Sequence, residues 1–146
     1  MQYLTGSVPV SVFAESAAAD RHDVVNHDSV FITVRFADGS NGAIAYLSEG
    51  DKALAKERVE IFGEGKTFVI DDFVQSTGYR NGREEKTALR AQDKGQAEEV
   101  KQVCAVVLAG SAPLIPLAEL AATTRATFRI LDSLRTGQLI KVKSEE

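Results

Sequence analysis

The chain has 146 residues, of which 44% are hydrophobic and 26% charged, a balance typical of one globular domain spanning residues 1–146. Its net charge is −4 and its basic residues are scattered singly, which argues against a nucleic-acid partner. One cysteine, no apolar run near the roughly 20 residues that span a bilayer, and no export signal predict a cytoplasmic protein without a membrane partner.

The N-terminal segment contains a helix end and a first strand. Met1–Thr5 followed by Gly6 is typical of the last turn of a helix, because Gly is common just past a helix end. We expect the beginning of that helix to lie upstream of Met1. Val8–Phe13 is predicted as a strand, and the polar segment Glu15–Asp28 as a loop.

Three hairpins are predicted next. In the first, apolar residues at 30, 32, 34 and 36 alternate with Phe31, Thr33 and Arg35, the period of a strand with one buried face. The turns are Asp38-Gly39, Glu64-Gly65 and Asn81-Gly82, of which the last tolerates the positive φ of a tight hairpin. The predicted strand pairs are Val30–Phe36 with Asn41–Leu47, Val59–Gly63 with Thr67–Ile70, and Val74–Tyr79 with Arg83–Ala88.

The period then changes to that of helices. The first helix has Asp93 as its predicted N-cap, ends at Gly110, and carries Ala97, Val100, Val103, Cys104, Val107 and Leu108 on one face. The second runs from Pro116 to Gly137, with a stripe of Leu117, Leu120, Thr124, Phe128, Leu131 and Leu134. Leu139–Val142 is predicted as a short closing strand.

Strands followed by helices indicate an α+β fold, a predominantly antiparallel sheet built from hairpins with two C-terminal helices packed on one face. The other face stays open, and Phe31, Ala43, Ala45 and Leu47 are expected to line it. An apolar open face favours a partner, so we predict a homodimer or higher oligomer.

The sequence motifs that could indicate nucleotide binding or catalysis do not have the residues or spacing that these functions need. Gly63–Thr67 contains Gly-Lys-Thr, but a phosphate loop needs a Gly where Glu60 stands, so a hairpin turn is predicted instead. No Gly-x-Gly-x-x-Gly lies between a strand and a helix, and we predict no cofactor-binding residue in this chain. Cys104 is interpreted as a core residue rather than a nucleophile.

One polar loop has side chains that can ligate metal, namely Asp20, His22, Asp23, His27 and Asp28. Nothing in their spacing fixes their directions, so an ordinary polar loop is the preferred interpretation and we predict no metal site. A metal-dependent hydrolase that uses His22 and His27 remains an alternative.

The connection Ser48–Arg58 is too long for a tight turn, and such loops often carry function. Its hydroxyl, carboxylate and ammonium groups can hydrogen-bond a polyol or sugar acid, and an equally polar loop can merely cover a sheet edge. The candidate substrate contacts are Ser48, Asp51, Lys52 and Lys56.

The order of elements, together with Val30–Ser40 and Ile115–Gly137, resembles the C-terminal domain of the Gfo/Idh/MocA family of glucose-fructose oxidoreductases and inositol dehydrogenases. The final helix of that family typically ends in a Ser and a Gly before a short strand, as Ser133 and Gly137 do here. The resemblance covers nearly the whole chain and implies a dihydrodipicolinate-reductase-like C-terminal fold.

The resemblance implies a substrate-binding and assembly domain of an NAD- or NADP-dependent sugar or polyol dehydrogenase. In the family a Rossmann domain precedes this one and the Glu-Lys-Pro motif belongs to that preceding part, while the resemblance implies that the His-x-x-Asp helix of the family ends in what is here Met1–Gly6. On that alignment the catalytic residues lie upstream of Met1, so no catalytic residue is assigned here and the isolated domain is expected to be inactive. The alternative is a self-standing binding or oligomerisation module without coenzyme.

Overall fold

A computed structural model describes residues 1–17 and 29–142, arranged as three helices and eight strands within those ranges. The α+β class with antiparallel hairpins is confirmed. In chain order the elements are α1 (Gln2–Thr5), β1 (Pro9–Ser16), β2 (Val30–Phe36), β3 (Asn41–Tyr46), β4 (Arg58–Gly63), β5 (Lys66–Asp71), β6 (Gln75–Arg80), β7 (Arg83–Ala88), α2 (Gln96–Ala109), α3 (Leu117–Thr136) and β8 (Ile140–Lys141).

The strands divide between two four-stranded sheets, where the sequence had predicted one. The first sheet has the order β3-β2-β1-β8 and the second β4-β5-β6-β7. The chain correspondingly forms two compact units, residues 1–49 with 113–146, and residues 50–112.

The hydrophobic core lies in the first unit, between its sheet and α3. β2 alternates buried and exposed residues along its whole length, as predicted, and α3 packs against β1 and β8. The buried hydrophobic residues are Val12, Ala14, Val30, Ile32, Val34, Phe36, Ala126 and Val142, with Ile130, Leu134 and Ile140 packed against them.

The packed face of α3 differs from the predicted stripe. Ala126, Ile130, Ser133 and Leu134 face the sheet, whereas Phe128 and four of the other five predicted positions are exposed. Only Leu134 was in the predicted set. The apolar residues of this helix form more than one stripe, and the small side chains of Ala126 and Ser133 allow the closer approach to β1.

The second unit consists of two consecutive hairpins followed by α2. Thr77 is its one fully buried side chain, 4% exposed, and its apolar residues are half-buried or exposed. Glu64 and Gly65, like Asn81 and Gly82, have φ between 50° and 70°. Both hairpins therefore have the predicted tight turns, and the region around Gly63 is a turn rather than a phosphate loop.

α2 corrects two sequence predictions. Its N-cap is Gly95, with φ of 79°, rather than Asp93, whose carboxylate instead accepts a hydrogen bond of 2.8 Å from the Gly95 N–H. Cys104 is exposed and is not a core residue. No side chain of α2 is buried, because its apolar side chains meet too little of the rest of the chain. The predicted stop at Gly110 is confirmed.

Candidate functional site

The predicted substrate contacts lie in the connection between β3 and β4. Ser48 belongs to the first unit, where its hydroxyl lies 3.1 Å from the Ser29 hydroxyl and its N–H donates to the same Ser29 oxygen. Asp51, Lys52 and Lys56 belong to the second unit and are exposed. Their role in binding a substrate stays a prediction.

Asp51 has a local structural role in this connection. Its Oδ1 accepts a hydrogen bond of 2.8 Å from the Ala53 N–H, and its carbonyl accepts one of 3.1 Å from the Leu54 N–H. Carboxylates of Asp commonly fix turns in this way. One carboxylate oxygen therefore holds the backbone, and the other remains available to an incoming hydroxyl group.

Glu57, which the sequence analysis did not single out, anchors the end of the same connection. Its Oε1 accepts a hydrogen bond from the Lys94 ammonium, and its carbonyl accepts one of 2.6 Å from the Asp72 N–H. Its Oε2 is buried and has no hydrogen-bond partner in the part of the chain that the structure describes. Sequence patterns give no signal for a pair 37 residues apart.

The protonation states in this network follow from its contacts. The hydrogen bond from Lys94 holds the pKa of Glu57 below its ordinary value, with smaller contributions from Asp72 and from the charges of Lys94 and Lys56. Partial burial of the Glu57 carboxylate opposes this shift. Glu57 is ionised at neutral pH and paired with a cation, so it is suited to hold the loop and not to act as a base.

The turn between β5 and β6 completes the network. Asp72 and Phe73 both have positive φ, 49° and 54°, a region that costs energy for a bulky side chain such as Phe. Gln92 donates hydrogen bonds of 3.0 Å to the Asp72 carbonyl and 2.9 Å to Asp72 Oδ1, and the Asp93 N–H donates to the Phe73 carbonyl. These contacts hold residues 89–95 against the turn and stabilise its strained backbone.

The first sheet leaves one face uncovered by α3. Phe31 is opposite Ala45 and Thr33 is opposite Ala43, so these residues share the face opposite to the core. Phe31 is 51% exposed, and Ala43, Ala45 and Leu47 are exposed as well. The residues predicted to line the open face are thus exposed, and their contact with a partner stays a prediction.

The first unit also contains an apolar cavity of about 470 Å³ between α1, α3 and the sheet. Its walls include Tyr3, Val34, Phe36 and Ile44, and the Thr123 hydroxyl donates a hydrogen bond of 2.8 Å to the side-chain Oε1 of Gln2 at its edge. The cavity has few polar groups to orient a polar ligand, so it is a poorer match to a sugar than the polar connection is.

Residues 1–17 and 29–142 contain no group of three or more His, Cys, Asp or Glu side chains that could hold a metal ion. The His22 and His27 loop lies outside those ranges, so the hydrolase alternative is not tested. Among the same residues no helix has the length and apolarity to cross a membrane.

Comparison with known proteins gives structural likeness without sequence matches. No family model and no curated protein matches the sequence. The fold is similar to a crystal structure of aldose-aldose oxidoreductase from Caulobacter crescentus complexed with glycerol, with a TM-score of 0.78 and 20% identity over 96% of this chain and 43% of that chain.

Two further solved structures show the same relation. UDP-N-acetylglucosamine 3-dehydrogenase from Acidithiobacillus ferrooxidans matches with a TM-score of 0.74 and 19% identity over 91% of this chain and 42% of its own. An NAD binding oxidoreductase from Klebsiella pneumoniae matches with a TM-score of 0.73 and 18% identity over 99% of this chain and 48% of its own.

At these identities the likeness shows the fold. The chain shares its fold with part of each of these oxidoreductases, which agrees with the fold that the resemblance to the Gfo/Idh/MocA family implied. The chain spans less than half the length of the solved chains named above.

Proposed function

We propose that residues 1–146 are the C-terminal substrate-binding and assembly domain of an NAD(P)-dependent dehydrogenase acting on a sugar or polyol of the inositol type. The observation that carries the proposal is the fold match, which covers nearly all of this chain and less than half of each oxidoreductase. The redox chemistry then belongs to a nucleotide-binding domain outside these residues.

The sheet topology supports the assignment of coenzyme binding to a different domain. All strand pairs within the described ranges are antiparallel. A Rossmann site needs parallel strands joined by a helix whose N-terminus faces the pyrophosphate. NAD or NADP would therefore be bound by the missing Rossmann domain, and the isolated chain would not turn over.

The sugar or polyol preference is the finer part of the proposal. Ser48, Asp51, Lys52 and Lys56 supply a hydroxyl, a carboxylate and two ammonium groups, which suit a ligand with several hydroxyls. Two of the similar structures are named as an aldose-aldose oxidoreductase and a UDP-N-acetylglucosamine 3-dehydrogenase, which also favours a sugar-type substrate. A cytoplasmic location is also part of the proposal and depends on the single cysteine.

The test compares the chain alone with the chain joined to the residues that its gene encodes upstream. We expect the longer protein to reduce NAD⁺ or NADP⁺ with at least one member of an aldose and inositol panel, and the 146-residue chain to bind neither coenzyme by calorimetry. Coenzyme-dependent oxidation by the short chain, or a gene that begins at Met1 beside no dehydrogenase domain, would contradict the proposal.

The alternative is a self-standing binding or oligomerisation module. The open face with Phe31 and Ala45 favours it, because an assembly surface needs no coenzyme. The two functions differ in one measurement: a module that stands alone assembles without any upstream residues and shows no coenzyme dependence in any longer form.

A further inference from the structure

Three cationic side chains form one cross-strand row in the second sheet. Lys66 in β5 is directly opposite Arg80 in β6, and Arg80 is directly opposite Arg83 in β7. Residues opposite one another in an antiparallel sheet point to the same face, and neighbouring strands lie about 4.8 Å apart. Like charges at this spacing destabilise a sheet, so the row creates a repulsion that a bound anion would relieve.

The chain itself neutralises little of this charge. Lys66 forms an exposed ion pair with Glu64 at 3.3 Å. Neither Arg80 nor Arg83 makes an ion pair or side-chain hydrogen bond with any residue of 1–17 or 29–142. Charged residues on edge strands commonly prevent aggregation, and this can explain Arg83, because β7 is an edge strand. It does not explain Lys66 or Arg80, because β5 and β6 are paired on both sides.

The row borders a cavity of about 630 Å³ on this face of the sheet. In the next row Phe68 is opposite Gly78, and Gly78 is opposite Glu85. A Cβ added to Gly78 would lie 3.7 Å from Phe68 Cδ2, so the aromatic ring borders the space that the glycine leaves open. The cavity thus combines cations, one apolar ring and one carboxylate.

We propose that this cavity binds a small organic phosphate. The guanidinium groups of Arg80 and Arg83, which have no ion pair among residues 1–17 and 29–142, match a dianionic phosphoryl group. Each can donate two parallel hydrogen bonds to it, and Lys66 adds a third cation. The carbon skeleton of the ligand packs on Phe68, and Glu85 accepts a hydrogen bond from a ligand hydroxyl group. The site lies wholly within residues 50–112, so it does not depend on the proposed dehydrogenase function.

The first test is calorimetric titration of the 146-residue chain at low ionic strength with inorganic phosphate, glucose 6-phosphate and adenosine monophosphate. We expect at least one organic phosphate to bind at least roughly 10-fold more tightly than inorganic phosphate, and glucose and adenosine not to bind. The two organic ligands distinguish a sugar source from a nucleotide source. Equal binding of all three phosphates, or no binding, overturns the proposal.

The second test uses variants. Arg80→Ala and Arg83→Ala should each weaken binding roughly 10- to 100-fold, because each removes charge-assisted hydrogen bonds. The matched control is Arg90→Ala, which removes the same charge beyond the opposite end of β7 and should leave affinity unchanged. If Arg90→Ala lowered the affinity as much as Arg80→Ala, the binding would reflect general attraction to positive charge, which would refute a specific site.

Two further variants separate the parts of the cavity. Phe68→Leu should lower the affinity for an organic phosphate several-fold and leave the affinity for inorganic phosphate unchanged. Glu85→Gln should raise the affinity for inorganic phosphate, because it removes a negative charge next to the ligand. Folding is checked by thermal unfolding, in which the bound phosphate should raise the midpoint of the wild type and not of Arg80→Ala. A phosphate-induced rise in Arg80→Ala equal to that of the wild type would place the ligand elsewhere.

Discussion

Ser133 shows how a single polar side chain can join two elements of the core. It is 0% exposed, and its Oγ accepts a hydrogen bond of 2.9 Å from the Ala14 N–H while its hydroxyl donates one of 2.6 Å to the Gln138 carbonyl. β8 pairs with β1 at Ser11 and Val12, and Ser133 provides the partner for Ala14 beyond that end of the short strand. α3, β1 and the turn after α3 are thereby held together.

Replacing Ser133 by Ala should destabilise the chain by about 1–3 kcal/mol, because it leaves a buried N–H and a carbonyl without a partner. The measurement is the free energy of unfolding in urea. Thr136→Ala is the matched control, since that exposed hydroxyl on the same helix donates only to the Asp132 carbonyl. It should cost less than about 0.5 kcal/mol. A Ser133→Ala cost no larger than that of Thr136→Ala would refute the bridging role.

At the scale of elements, the period of the sequence predicts a strand better than it predicts the packed side of a helix. β2 buries Val30, Ile32, Val34 and Phe36 as the alternation requires. α3 has apolar residues around much of its circumference, and only its contact with β1 and β8 decides that Ala126 and Ser133 face inward. The existence of both helices and their C-terminal ends at Gly110 and Gly137 were predictable, whereas the N-cap of α2 and the buried stripe of α3 were not.

The ion pair between Glu57 and Lys94 joins the loop before β4 to the segment before α2, and its contribution should depend on pH. The pKa of Glu57 is lowered in the fold from its ordinary 4.5, chiefly by the hydrogen bond from Lys94. A lowered folded pKa stabilises the fold above the unfolded pKa, and this stability is lost as pH falls through the folded value.

Wild type should therefore be more stable than Glu57→Gln at about pH 7, and the difference should shrink below about pH 4. Urea unfolding at both pH values measures it. Glu98→Gln serves as the control, because the exposed Glu98 carboxylate contacts only its own helix, pairing with Lys101 at 3.3 Å and accepting a hydrogen bond of 3.0 Å from Gln102. This variant should show little difference from the wild type at either pH. A difference between wild type and Glu57→Gln that does not change with pH would argue against the ion pair.

At the scale of the whole molecule, each of the two units exposes several large apolar side chains. Phe31 and Leu47 are exposed in the first unit, and Phe62 and Tyr79 in the second. Val107 and Leu108 on α2 are exposed as well. Contiguous exposed apolar surface typically marks an interaction site, which supports the proposal of an assembly domain that contacts other subunits.

If the open face of the first sheet forms the proposed homodimer, Phe31→Lys should weaken self-association at least roughly 10-fold. Lysine is chosen because Glu15 is opposite Phe31 and can pair with it, so the monomer should stay folded. The measurement is the concentration dependence of mass by light scattering.

Phe62→Lys is the control for this prediction, since it places the same charge on an exposed aromatic position of the second sheet. It should leave the mass unchanged. A wild-type chain that stays monomeric at working concentration, or an equal loss in Phe62→Lys, would rule out this interface.

Local structure could be predicted from the order of residues alone, because turns and hydrophobic periods are local properties. The hairpin turns at Asn81-Gly82 and Glu64-Gly65, the alternation of β2 and the ends of α3 follow from backbone preferences and side-chain period alone. The order of elements and the motifs that resemble a known family predicted the fold, and the structural comparisons agree with this prediction.

Which residues distant in sequence come into contact depends on the tertiary structure. The division into two sheets, the Glu57–Lys94 pair, the Ser133 bridge and the row of Lys66, Arg80 and Arg83 each depend on strand register or on loop positions. The candidate contacts Ser48 and Asp51 likewise fall in different units, which adjacency in sequence could not indicate. Register and packing arise from contacts summed over the whole fold, and no local pattern encodes them.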